Sequence, residues 1–201
     1  MPESAEAQVL VADEDMLRAH LYALLAHLLS GPPDGATLAR LRVLEGDDSP
    51  IGNAFAALAA AAAAAAPETL EREFFDLFIG MAGGEVMPYA SLYLTGFLYE
   101  KPLAELRADL AVLGIERAEG VPEPEDHVAA LFEVMGGLIT GTFGEPAALA
   151  TQKRFFARHL APWASRFFDD LEKAEAARFY GPVARLGRLF LGVEQDAFAM
   201  V

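Results

Sequence analysis

Ser91 is the first side chain to weigh as a reactive group, because it stands in EVMPYASLYL, residues 85–94, just after a glycine pair and between two tyrosines. A hydrolase serine occupies G-x-S-x-G on a strand-to-helix turn with a base in reach. Here its neighbours are Tyr89, Ala90, Leu92 and Tyr93, so Ser91 is read as a helix-start residue whose oxygen accepts backbone N–H groups. His20 and His27 share a helix face but lie two turns, about 10 Å, apart, too far for one metal ion. His127 and His159 are isolated in sequence, H-E-x-x-H is absent, and Glu119, Glu123, Glu125 and Asp126 lack the ligand alternation of an EF-hand. No metal and no cofactor are expected. The run GMAGGE at 80–85 has no following Lys-Ser/Thr, so it reads as a helix end and not as a phosphate cradle. His127 falls in a first helical turn, where the dipole opposes an imidazolium and its acidic neighbours favour one; the direction of its shift stays open.

The elements that must position these groups are helices. Leu17, Leu21, Leu24 and Leu28 predict a helix from Asp13, as cap, to Leu29, stopped by SGPP at 30–33. The alanine run up to Ala66 predicts another, and Leu70, Phe74, Leu77 and Phe78 mark one from Pro67 to the glycines at 80–84. Val128, Leu131, Phe132, Met135, Leu138 and Ile139 make the clearest stripe, opened by Pro124-Glu125-Asp126. Further helices are predicted at 101–113 and 146–160 and after Pro162 and Pro182, the last with Phe179, Val183, Leu186 and Phe190 on one face. No segment alternates with period two. The expected fold is all-α, a single-domain helical bundle of about ten helices over residues 1–201, with 1–12 as a flexible tail.

Two irregular segments, 80–91 and 114–126, interrupt the helices, and such loops on a rigid scaffold commonly carry recognition. Thirty acidic against fifteen basic residues give a net charge of -15, which repels nucleic acid and anionic membrane surfaces and favours a basic partner. The absence of cysteine excludes disulfides and thiolate metal sites. The acidic N-terminus lacks a secretory signal, and the alanine run is shorter than the ~20 apolar residues of a membrane span. A cytoplasmic protein without stable membrane insertion is expected.

The blocks EFFDLFIG (73–80), MPYASLYL (87–94), PEDHVAALFEVMGGL (124–138), QKRFFARHLAPWASRFFDDL (152–171) and FYGPVARLGRLFL (179–191) follow one another as in the TorD/DmsD-type chaperones, which the chain resembles over residues 10–192. The resemblance implies a cytoplasmic, all-α protein, not an enzyme, that assists maturation of molybdenum-cofactor oxidoreductases. Its implied partners are the twin-arginine signal peptide and the apo form of such an enzyme, with a homodimer as a further possibility. By the same resemblance the P-x-D-H block assigns Pro124, Asp126 and His127 to peptide binding, and the block before it assigns Pro88, Tyr89, Ser91 and Tyr93. The chain departs from the pattern at Phe74, where the family has tyrosine, and at Met81, where it has proline. A leader with an Arg-Arg pair and an apolar stretch needs carboxylates beside an apolar groove. Glu119, Glu123 and Glu125, with Asp126, can supply the first; Tyr89, Tyr93, Phe97 and Leu98 can supply the second. A GTP-dependent enzyme using Asp126 and His127, or an adaptor acting only in assembly, are the alternatives.

Overall fold

Alanine- and leucine-rich segments wind into ten α-helices in a computed structural model that describes residues 11–80, 83–117, 120 and 123–200. In chain order they are α1 (Asp13–Ser30), α2 (Gly35–Leu41), α3 (Pro50–Ala64), α4 (Pro67–Phe74), α5 (Ala90–Thr95), α6 (Lys101–Val112), α7 (Val128–Thr140), α8 (Leu149–His159), α9 (Ala164–Lys173) and α10 (Tyr180–Ala199). Among the described residues the β pairing consists of one isolated bridge, Tyr89 to His127. No single helix there is long and apolar enough to cross a membrane.

Local chemistry explains most of the helix starts. Proline stands in the first turn of α3, α4 and α6, where its missing N–H costs nothing, and the Ser49 and Asp34 side chains cap α3 and α2. Asp13 is not the cap of α1: Ala12 holds that position, and Asp13, Glu14 and Asp15 instead place negative charge on the first turn. Helix α8 begins at Leu149, three residues later than the spacing suggests, and α10 begins two residues before Pro182.

The predicted stripes on α7 and α10 are buried as drawn, from Val128 to Ile139 and from Phe179 to Phe190. The stripe on α1 is buried only in part: Leu28 is fully buried and Leu21 and Leu24 pack partly buried against the core, but Leu17 is 65% exposed, and the buried face also takes in Ala19, Tyr22, Leu25, Ala26 and Leu29. The reason is Tyr22: its ring meets Phe132 and Phe190 edge-on at 5.4 and 4.7 Å, and its hydroxyl donates to Glu194 at 2.9 Å. One turn earlier Arg18 grips the same carboxylate through two nitrogens, at 2.7 and 2.8 Å, with Asp15 as a second anion at 2.6 Å. Helix α1 is thereby locked to α10 on one side while it packs along α7 on another.

The segment predicted as one helix from Pro67 changes character midway. After α4 the chain widens into a π-helical turn, Phe75–Ile79, whose end is tied by Gly80 N–H to Phe75 O at 2.8 Å. Gly80 and Gly84 carry φ of +28° and +75°, and a Cβ on Gly84 would fall 2.3 Å from Leu77 O, so only glycine closes this turn. Two carboxylates then clamp the distant approach to α10. Glu73 accepts the N–H groups of Arg178 and Tyr180, each at 2.8 Å, and Glu85 accepts those of Glu175 and Ala176 at 2.6 and 3.1 Å. With the approach fixed, Phe74 and Phe78 meet buried Tyr180 tilted and edge-on, and each stays partly exposed to a cavity.

Candidate functional site

Pro88 O accepts the Val128 N–H at 2.9 Å and Asp126 O accepts the Ala90 N–H at 3.0 Å, which zips the two irregular segments together around the Tyr89–His127 bridge. Pro88 and Pro124 are both buried beside this junction, and Pro124 opens the turn in which its carbonyl accepts the His127 N–H at 3.1 Å. The Tyr89 and His127 rings meet edge to face at 5.2 Å.

His127 is the N-cap of α7. Its Nδ1 accepts the Ala129 N–H at 3.1 Å, so the ring proton of the neutral imidazole resides on Nε2. Burial drives its pKa down to about 4, against the opposing pull of Glu123 and Asp126. The direction that sequence leaves open is thus decided by desolvation, and His127 adds no charge to its surroundings at neutral pH.

Asp126 is fully buried and faces inward. Its Oδ2 accepts the Ser91 N–H at 2.8 Å, so Asp126 does for α5 what Ser91 was expected to do, and the Ser91 Oγ has no hydrogen-bond partner. The geometry corrects that part of the sequence reading: a side chain 35 residues away supplies the cap. Glu125 accepts from Arg107 through both carboxylate oxygens, at 2.8–3.1 Å; partial burial pushes its pKa up, but the guanidinium holds it below the ordinary glutamate range. Glu123 is exposed and accepts the Tyr89 hydroxyl at 2.5 Å. Burial, then this hydrogen bond, raises the phenol pKa. Glu119 lies outside the described residues.

A cavity of about 360 Å³ opens at this junction. Phe74, Phe78 and Ile79 form one wall, Pro88 and Tyr89 a second, and Glu123, His127, Ala129, Ala130 and Glu133 the third, with Ser30 at the edge. Three separate blocks of the sequence therefore build one hollow. No lysine or arginine lines it, and Glu133 has no ion pair or hydrogen bond among the described residues, with its carboxyl pKa raised by partial burial. Such a hollow is suited to a cation carried on an apolar stem: carboxylates at the rim take the charge, and aromatic rings cover the methylenes.

Not every expected residue faces this cavity. Tyr93 lies on the other side of α5, its hydroxyl on Asp170 at 3.0 Å and its ring against Trp163 at 5.4 Å, lining a separate hollow of about 410 Å³ with Glu85, Met87 and Lys173. Phe97 is 70% exposed and lines neither hollow. Glu133 and Ile79, absent from the sequence reading as site residues, are brought in by the fold. The available signal for Glu133 was its place as the lone charge in VAALFEVMGGLI. Among the described residues no three His, Cys, Asp or Glu side chains stand together as a metal-binding group.

The family model described as nitrate reductase delta subunit matches residues 44–169. The chaperone protein TorD of Vibrio cholerae serotype O1 (strain El Tor Inaba N16961) is 31% identical over 134 residues, covering 63% of this chain and 60% of that protein. TorD of Aliivibrio fischeri is 30% identical over 133 residues, 62% of each chain. The match thus spans about 60% of the length of these curated relatives. In fold, the chain is similar to a crystal structure described as a redox enzyme maturation protein from Archaeoglobus fulgidus, with a TM-score of 0.55, 21% identity, and coverage of 88% of this chain and 94% of that one.

Proposed function

Because this chain belongs to the nitrate reductase delta subunit family, which takes in the TorD chaperones, we propose that it is a redox-enzyme maturation chaperone acting in the cytoplasm. Its client is the apo form of a molybdopterin oxidoreductase, and its recognition element is that enzyme's twin-arginine signal peptide. The observation that carries this reading is the junction cavity, which combines an aromatic wall with two carboxylates, no basic lining residue and a neutral His127.

The steps follow from these groups. Glu123, steadied by the Tyr89 hydroxyl, offers its second oxygen to a guanidinium, and Phe74 and Phe78 cover the side-chain methylenes. Arginine is favoured over lysine because its planar fork presents paired donors to a carboxylate. Asp126 and Ser91 hold the wall in place from behind, and Tyr93 extends the surface on the far side of α5. Glu125, already matched by Arg107, contributes less than Glu123. Binding shields the leader until the enzyme is folded, and no covalent bond changes. Isothermal titration with a twin-arginine leader, its Lys-Lys variant and GTP tests the proposal. Strong heat with the first and weak heat with the second is expected; equal, negligible heats with both peptides would refute it, and saturable GTP heat with turnover would favour a nucleotide enzyme.

A further inference from the structure

Glu133 lines two hollows at once. One is the junction cavity; the other is a furrow of about 540 Å³ between α1 and α7, lined by Met16, His20, Ala23, Gly136, Thr140 and Phe143 among others. On α7 the residues Ala129, Ala130, Glu133, Gly136, Gly137 and Thr140 recur at helical spacing, so a single face floors both hollows. From Ala130 to Thr140 this face is about 15 Å long by helix rise.

Three features suit the furrow to an apolar helical segment. Its lining includes Ala19, Ala23 and Ala26 of α1 and Gly136 and Gly137 of α7, small residues that let another backbone approach closely. Packing does not demand glycine at 136: a Cβ there would lie 3.7 Å from Ala19 O and Tyr22 Cβ, an ordinary contact, so the missing side chain keeps the furrow open. At the far end Phe143 is 45% exposed. Neither hollow is lined by lysine or arginine, and the charge at their meeting point is Glu133, which has no ion pair among the described residues. Glu133 is solvent-exposed, so a carboxylate where the two hollows meet is complemented by a cation flanked by apolar residues on one peptide.

We propose that the two hollows form one peptide track, in which Glu133 takes a basic residue at the junction and the α1–α7 furrow holds the apolar helical stretch adjoining it. The identity of that peptide rests on the leader-binding reading above; the track itself rests on the shared lining. The peptide lies in the furrow as a helix in a groove, while the junction cavity takes the arginine side chain.

The experiment measures fluorescence anisotropy of a labelled twin-arginine leader, and of the same leader lacking its apolar stretch, on the full chain. Variants are Ala23→Leu, at an exposed position of α1, and Gly136→Leu, both filling the furrow, and Glu133→Gln, with circular dichroism and melting as fold checks. Filling the furrow is expected to weaken the full leader by about tenfold, the scale of a few methylenes in an apolar site, and to leave the shortened leader unchanged. Glu133→Gln is expected to weaken both. If folded Ala23→Leu binds the full leader like the wild type, the track is wrong even though leader binding stands. If the wild type binds neither peptide, the function proposal itself fails. Loss of a dimer in Ala23→Leu by sedimentation, with leader affinity intact, would assign the furrow to a second copy of the chain and overturn the proposal.

Discussion

His127 makes the protein's stability depend on pH in a calculable way. Its side chain is 9% exposed, and burial outweighs the neighbouring Glu123 and Asp126 to bring its pKa from 6.5 to about 4. Between those values the unfolded chain binds a proton at this residue and the folded chain does not, so acidification favours unfolding. The interval from 6.5 to about 4, at about 1.4 kcal/mol per tenfold step in acidity, caps the loss at roughly 3 kcal/mol. About 2.5 kcal/mol of it is expressed by pH 4.5. The control is His127→Asn, because asparagine still caps the Ala129 N–H and does not titrate. Urea denaturation of both proteins at pH 7.5 and 4.5 separates the effect from the titration of the carboxylates, which both share. The wild type is expected to lose about 2.5 kcal/mol more than the variant over that range. Equal losses would refute the reasoning, since they would mean that the imidazole is as easily protonated folded as unfolded. The same protonation puts positive charge on the cavity wall, so leader affinity is expected to fall with acid more steeply in the wild type than in His127→Asn.

Two further outcomes test the framework around the site. Asp126→Ala strands the Ser91 N–H and is expected to cost about 1.5–3 kcal/mol in denaturant unfolding, whereas Asp126→Asn, which keeps an acceptor oxygen, is expected to cost about half of that or less; equal costs would show that the cap is not what Asp126 supplies. Glu194→Ala leaves Arg18 and the Tyr22 hydroxyl without their shared buried anion and is expected to cost about 3–5 kcal/mol, with a matching drop in Tm; a cost under about 1 kcal/mol would show that Asp15 and solvent suffice for Arg18.

Helix α7 was legible in the sequence because it is apolar around most of its circumference: the whole predicted stripe is buried, together with Ala129, Val134 and Gly137. Helix α1 was legible in part. Of the four leucines that marked one face, Leu28 is buried but Leu17 is exposed, because the fold turned Tyr22 inward, where Glu194, 172 residues away, satisfies its hydroxyl and also takes Arg18. The site shows the same division. Its segments could be picked out as the irregular, Gly- and Pro-bearing breaks in a helical pattern, and the resemblance of their blocks to a family pointed to Tyr89 and His127. What could not be read was direction: Asp126 turned into the core, Glu125 matched with Arg107, Tyr93 on the far side of α5, and Ile79 and Glu133 brought to the cavity, Glu133 with no local mark beyond being the lone charge of its helix.

By itself the sequence determined the helical class, most helix starts and the acidic, cysteine-free character, because propensity, capping and charge act within a few residues. Only the tertiary structure decided which carboxylates remain unmatched beside an apolar hollow. That depends on which distant N–H, guanidinium or phenol reaches each of them first, and no local pattern encodes such a competition.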